Sequence, residues 1–114
     1  MGLGGQVFDA QSVPIKNLVV EVGGKLDGEE LNRVSLTGIA PEYGEGGYEV
    51  YLSDTPRESS QALWIQIRDL AGTQLSDRLF FDTVENCERN LIIMNFVQAG
   101  SRELIRYFLP IVGK

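Results

Sequence analysis

The chain has no histidine, one cysteine and three lysines among its 114 residues. Without imidazole there is no Ser–His–Asp or Cys–His nucleophile, no histidine general base and no histidine-containing metal centre. The lone thiol, Cys87, cannot close a disulfide within the chain, so cysteine usage leaves the redox compartment open. Acidic residues outnumber basic ones by 16 to 10, for a net charge of −6. The basic side chains are scattered rather than clustered, which argues against nucleic acid and anionic membrane surfaces as partners. No apolar run approaches the ~20 residues that span a bilayer, so membrane insertion is not expected. Met1-Gly2-Leu3-Gly4-Gly5 lacks the basic and apolar segments of an export signal. A start inside what reads as a strand favours a piece of a longer protein whose signal lies upstream. A cytoplasmic chain is the alternative.

What is present points to β structure. Hydrophobic residues make up 43% of the chain and glycines number 13, the composition of one globular domain with many turns. Short apolar runs recur every ~8–15 residues between Gly, Pro, Asn, Asp and Ser. Gln6-Val7-Phe8 leads into a turn over Asp9–Pro14. Leu18, Val20 and Val22 alternate with Val19 and Glu21 and stop at Gly23-Gly24. Val34 and Leu36 mark a weaker strand. Tyr48, Val50 and Leu52 alternate with Glu49 and Tyr51; Leu63, Ile65 and Ile67 alternate with Trp64, Gln66 and Arg68. Asp69-Leu70-Ala71-Gly72 reads as a hairpin turn, Leu79–Thr83 as a short strand, and Leu91–Val97 as a central strand interrupted in polarity only by Asn95. About seven or eight half-apolar strands need two sheets to bury one another, so the expected fold is an all-β antiparallel sandwich. It should occupy residues 1–97.

The remainder, 98–114, is an apolar C-terminal segment. Ser101 could cap a short helix presenting Leu104, Ile105, Phe108 and Leu109 on one face, stopped by Pro110. An extended strand is the favoured reading, because the rest of the chain is β. Leu104, Ile105, Tyr107, Phe108 and Leu109 are the expected interface residues, adding a strand to the domain or to a partner.

Gly5-x-Val7-x-Asp9, Pro14-Ile15, Val20-x-Val22 and Gly47-Tyr48-x-Val50 together resemble the carboxypeptidase regulatory-like domain, over roughly residues 4–97. The resemblance implies a transthyretin-like, Greek-key β-sandwich that supports folding, spacing or partner contact and performs no chemistry. Ser12 and Asn17 stand where that family commonly has glycine, and Ala40-Pro41-Glu42-Tyr43 replaces its usual Thr-Asp. Arg106–Val112 is similar to a segment that borders such domains in secreted bacterial proteins. The one hydrolytic branch of the transthyretin-like fold uses histidines and a Tyr-Arg-Gly-Ser tail, both missing here.

Other chemistry has weak support. Glu29-Glu30, Glu42/Glu45 and Asp82/Glu85 read as solvated loop charge, and none has the spacing of a Ca²⁺ loop. Asn95 with Glu49 suggests a Lys–Asn isopeptide bond, but Lys16 and Lys25 fall in turns; a hydrogen-bonded buried amide is the plainer account. Cys87, flanked by acids, reads as a structural thiol. No catalytic residue, metal or cofactor is expected.

The feature that asks for a role is aromatic. Alternation turns Trp64 and Tyr51 outward, with Val19 and Phe80 on the same side, and a contiguous apolar patch usually marks a binding surface. Three readings compete: the C-terminal segment covers the patch, another domain or a second copy packs on it, or Trp64 and Tyr51 form a sugar-stacking platform flanked by Gln66 and Arg68. The expected function is a non-catalytic structural or interaction module of a larger secreted or surface bacterial protein. A carbohydrate-binding module is the second reading.

Overall fold

The computed structural model describes residues 1–26, 28–53, 58–83, 91–99 and 107–110. Within them run β1 (Gly2–Phe8), β2 (Val19–Leu26), β3 (Glu29–Leu36), β4 (Gly47–Tyr51), β5 (Ser59–Arg68), β6 (Leu79–Thr83), β7 (Leu91–Ile93), β8 (Phe96–Ala99) and β9 (Tyr107–Pro110), with a single 3-10 turn at Pro41–Tyr43. One sheet has the order β3-β2-β5-β6; the other has the order β4-β1-β8-β9, with β7 also on β1. Leu3, Val7, Tyr48, Val50, Phe96 and Phe108 from the second sheet pack against Val20, Val22, Leu63, Ile65 and Ile67 from the first. The sandwich follows from the alternation: every other residue of β4 and of the central stretches of β2 and β5 is apolar, and two such faces can only be dried against each other.

The expected all-β sandwich is present, with mixed rather than purely antiparallel pairing. β1 runs parallel to β7 and β8 and antiparallel to β4. The run Leu91–Val97 is one strand broken at Met94-Asn95. The Met94 N–H donates to Gly4 O at 2.9 Å, while the side-chain oxygen of Asn95 accepts the Gln6 N–H at 2.7 Å. Asn95 thus stands in for the backbone acceptor that the break removes. The freed Met94 carbonyl crosses above Gly5, where any Cβ would collide with it, and accepts the Tyr48 hydroxyl at 2.6 Å.

The weaker strand differs in facing. Val34 pairs with Glu21 on the outer face and is exposed, whereas Leu31 and Ser35 are buried. β3 is an edge strand, and its ladder with β2 sets the register against the single apolar pair read from sequence. Inward-facing Arg33 closes this edge, its Nε donating to Tyr51 O on β4 at 3.1 Å.

Tyr107–Pro110 is extended, as the favoured reading had it for that part of the segment. β9 pairs antiparallel with β8, and the Phe108 N–H donates to Leu75 O at 2.8 Å, tying the sheets together at the opposite edge. Phe108 is fully buried in the common core, and β8 runs across residue 97, so residues 1–97 and β9 share one core. β9 lies at the sheet edge, not over Trp64 or Tyr51. Leu104 and Ile105 fall outside the described residues, as does Cys87; of Tyr107 and Leu109 only the strand pairing is described.

Candidate functional site

The two outward aromatics do not meet. Tyr51 is on β4 and Trp64 on β5, strands of different sheets, and each points away from its own buried neighbours. A shared stacking platform is therefore ruled out by topology. Alternation sets which face a residue takes, but nothing in it says which sheet a strand joins.

On the β2–β5 side, Glu21, Gln66 and Arg68 form one cluster. Glu21 Oε1 accepts from Gln66 Nε2 at 2.7 Å and from Arg68 Nε at 2.8 Å. The Arg68 bond is the largest influence on the Glu21 carboxyl and, with help from Gln66, holds it below the usual carboxylate range despite partial burial. Arg68 also donates to Gly72 O at 2.9 Å. Gln66 has no exposed surface. The expected flanking roles of Gln66 and Arg68 toward a ligand are thus corrected: both hold Glu21 and the strand end instead.

Trp64 is half-buried. Its indole leans into the space above Gly23, the β2 residue paired with it, where a side chain would collide with the ring. The Arg78 guanidinium sits 4.0 Å from the ring centroid. A cation stacked on an aromatic face is attracted by the ring quadrupole, by about 0.5–2 kcal/mol. One face of Trp64 is therefore taken by Arg78 and cannot serve as an open stacking surface. Beside it lies a groove of about 450 Å³ floored by Gly23 and Gly24, with Asn32, Lys25, Glu30, Glu21, Trp64 and Arg78 around it. Phe80, paired with Trp64 across β6, is exposed on this same face.

On the other outer face, Gly2 lies between Tyr51 of β4 and Leu91 of β7, and Gly4 between Glu49 and Ile93. The two glycines lower the middle strand. The Tyr43 ring fills the space over Gly4. Burial, the Glu49 and Glu42 charges and a hydrogen bond with Glu49 raise its phenol above the ordinary value. Over Gly2 the surface stays open as a groove of about 480 Å³ lined by Ile39, Glu42, Glu49, Tyr51 and Leu91 among others. Tyr51, Ile39 and Leu91 are 53%, 62% and 46% exposed. Tyr51 was legible in the sequence; Ile39 and Leu91 were not, because neither sits in a run with an unambiguous facing.

Among the described residues no three Asp, Glu, Cys or His side chains gather as a metal site, and no helix is long and apolar enough to cross a membrane. No family model matches the chain, and no curated protein does. Among solved structures it is similar to the dioxygenase domain of a dioxygenase–carbohydrate-binding protein fusion from the cellulolytic bacterium Streptomyces sp. SirexAA-E. The TM-score is 0.41 and the identity 12%, over 94% of this chain and 73% of that one. A likeness of that size carries no conclusion about fold or function.

Proposed function

We propose that the chain is a non-catalytic interaction module of a larger secreted or surface bacterial protein, built on a transthyretin-like sandwich as its resemblance to carboxypeptidase regulatory-like domains implies. One observation carries the reading: the apolar face of Tyr51, Ile39, Leu91 and Ile93 around the Gly2 hollow. Tyr51, Leu91 and Ile93 on one sheet face, with Ile39 from the adjoining loop, are four large exposed apolar side chains, more than the scattered apolar exposure that needs no explanation. The partner that fits is another protein domain with an apolar protrusion and a basic rim, since Glu42 and Glu49 border the hollow. Glu21, bound by Arg68 and Gln66, and Tyr48, bound to the Met94 carbonyl, are held in structural hydrogen bonds.

Paired melts test it. Tyr51→Ser should change the melting temperature of the 114-residue chain only slightly, because the residue is 53% exposed. In the full-length parent polypeptide the same change should lower the module's transition by several degrees, or free it to melt separately. Equal insensitivity in both settings would remove this face as the contact.

A further inference from the structure

We propose that the hollow over Gly2 is the receptacle for one arginine side chain of the neighbouring domain. This rests on the docking reading of the Tyr51 face and adds what that face recognises. Tyr51, Gly2 and Leu91 form one cross-strand row on β4, β1 and β7; Glu49, Gly4 and Ile93 form the next outward-facing row. Each row has a glycine at its centre, but the space above it is used differently. A Cβ at Gly4 would collide with the Tyr43 ring, whereas one at Gly2 would meet, apart from its chain neighbours, only Val50 O at 3.3 Å and Leu91 Cδ1 at 3.9 Å. The first space is filled by this chain and the second is left open. Ile39 and, from the 3-10 turn, Glu42 also line the opening, which measures about 480 Å³. That is room for one long side chain with the backbone that carries it.

Charge and chemistry select the occupant. Glu42 and Glu49 line the hollow beside its apolar walls, both are exposed, and among the described residues neither has an ion-pair partner. Glu49 accepts the Tyr43 phenol, which uses one of the several lone pairs of a carboxylate. The one cation at the hollow among the described residues, the Met1 ammonium, donates to Ser53 O at 2.8 Å. A leucine or phenylalanine seated here would dry two carboxylates without pairing them, which is costly, and an acidic side chain would be repelled. An arginine lays its methylene stem on Ile39 and Leu91 and brings its charge to the glutamates. Its planar fork of five donors can serve two carboxylates on different elements. It is also more weakly hydrated than a lysine ammonium, so it loses less on entering an apolar cleft.

The probe is N-acetylarginine amide, titrated into the intact isotope-labelled chain at constant ionic strength and followed by NMR. The lysine and citrulline amides are run beside it; citrulline keeps the stem and the planar head but carries no charge. Arginine should shift the Ile39, Tyr51 and Leu91 amide signals saturably in the high millimolar range, lysine should bind more weakly, and citrulline should not bind. Glu42→Gln and Glu49→Gln, both at exposed positions, should each weaken arginine binding roughly two- to fivefold, the worth of a partly exposed ion pair. In the parent polypeptide, hydroxyl-radical labelling separates this proposal from the docking reading beneath it. There the Glu42→Gln/Glu49→Gln double variant should raise the labelling of Tyr51. An unprotected Tyr51 in the unmutated parent would remove the docking reading and the arginine with it. Protection that the double variant leaves intact overturns the arginine alone, as does citrulline binding as well as arginine, lysine binding more tightly, or no arginine-induced shift of these signals.

Discussion

The hydroxyl of Tyr48 donates a 2.6 Å hydrogen bond to the carbonyl of Met94, at the break where β7 passes into β8. Burial raises the Tyr48 phenol well above its ordinary value of 10.0, with a smaller contribution from Tyr43. Tyr48→Phe leaves the Met94 carbonyl without this partner and should cost about 1–3 kcal/mol, read as a shift of urea midpoint at unchanged slope. A raised tyrosine pKa contributes stability that is whole below the unfolded value of 10.0 and is lost as pH climbs toward the folded one. The variant should therefore also show a shallower alkaline loss of stability.

Asp9–Val13 and Asp69–Thr73 are two copies of one turn. In each, the aspartate side chain accepts the N–H four residues on, at 2.9 and 2.8 Å, and its backbone carbonyl accepts the N–H three residues on, at 3.0 Å in both. The equivalent left-handed positions are Ser12, φ 68, and Gly72, φ 93. Serine there carries the steric cost that glycine avoids, about 1–2 kcal/mol, against about 0.5–1 kcal/mol of extra glycine chain entropy. Ser12→Gly should stabilise by roughly 0.5–1 kcal/mol, whereas Gly72→Ser should destabilise; thermal melts of the two variants check the pair.

Phe108 supplies the test of the C-terminal strand. Its ring is 1% exposed in the common core, so Phe108→Ala should cost about 3–5 kcal/mol, the usual range for a buried phenylalanine. Denaturant unfolding of the full chain measures it. A loss below about 1 kcal/mol would mean that β9 adds an edge without adding to the core.

Glu21 sets the acid side. Its carboxyl, held below 4.5 chiefly by Arg68, contributes stability that is complete above the unfolded value and lost as pH falls through the lower folded one. Both partners are partly exposed, so the contribution at neutral pH is on the order of 1 kcal/mol. Glu21→Gln should lose that amount near neutrality and converge with the wild type as pH falls through the lowered folded value, as unfolding midpoints across pH will show.

Much of this architecture was legible. The periodicity of Leu18–Val22, Tyr48–Leu52 and Leu63–Ile67 placed β2, β4 and β5 and the inward side chains of each. β1 was read as a strand open at the chain start with its facing legible only from Gln6, because Gly2, Gly4 and Gly5 give no periodic signal. Gly4 and Gly5 are glycines because Tyr43 and the Met94 carbonyl occupy their side-chain space, a reason that exists only in the folded chain. The same limit applied to the site. Trp64 and Tyr51 could be turned outward from sequence, but their separation onto two sheets, the Arg78 stack and the seating of the indole over Gly23 depend on strand order.

The proposed docking of the Tyr51 face on a neighbouring domain of a larger protein has one most direct test. Hydroxyl-radical footprinting of the parent and of the isolated chain measures this residue by residue. Tyr51, Leu91 and Ile39 should label several-fold less in the parent, with Val34, on the opposite sheet and 64% exposed in isolation, as the unchanged reference. Equal labelling of Tyr51 and Val34 in both settings would contradict the claim.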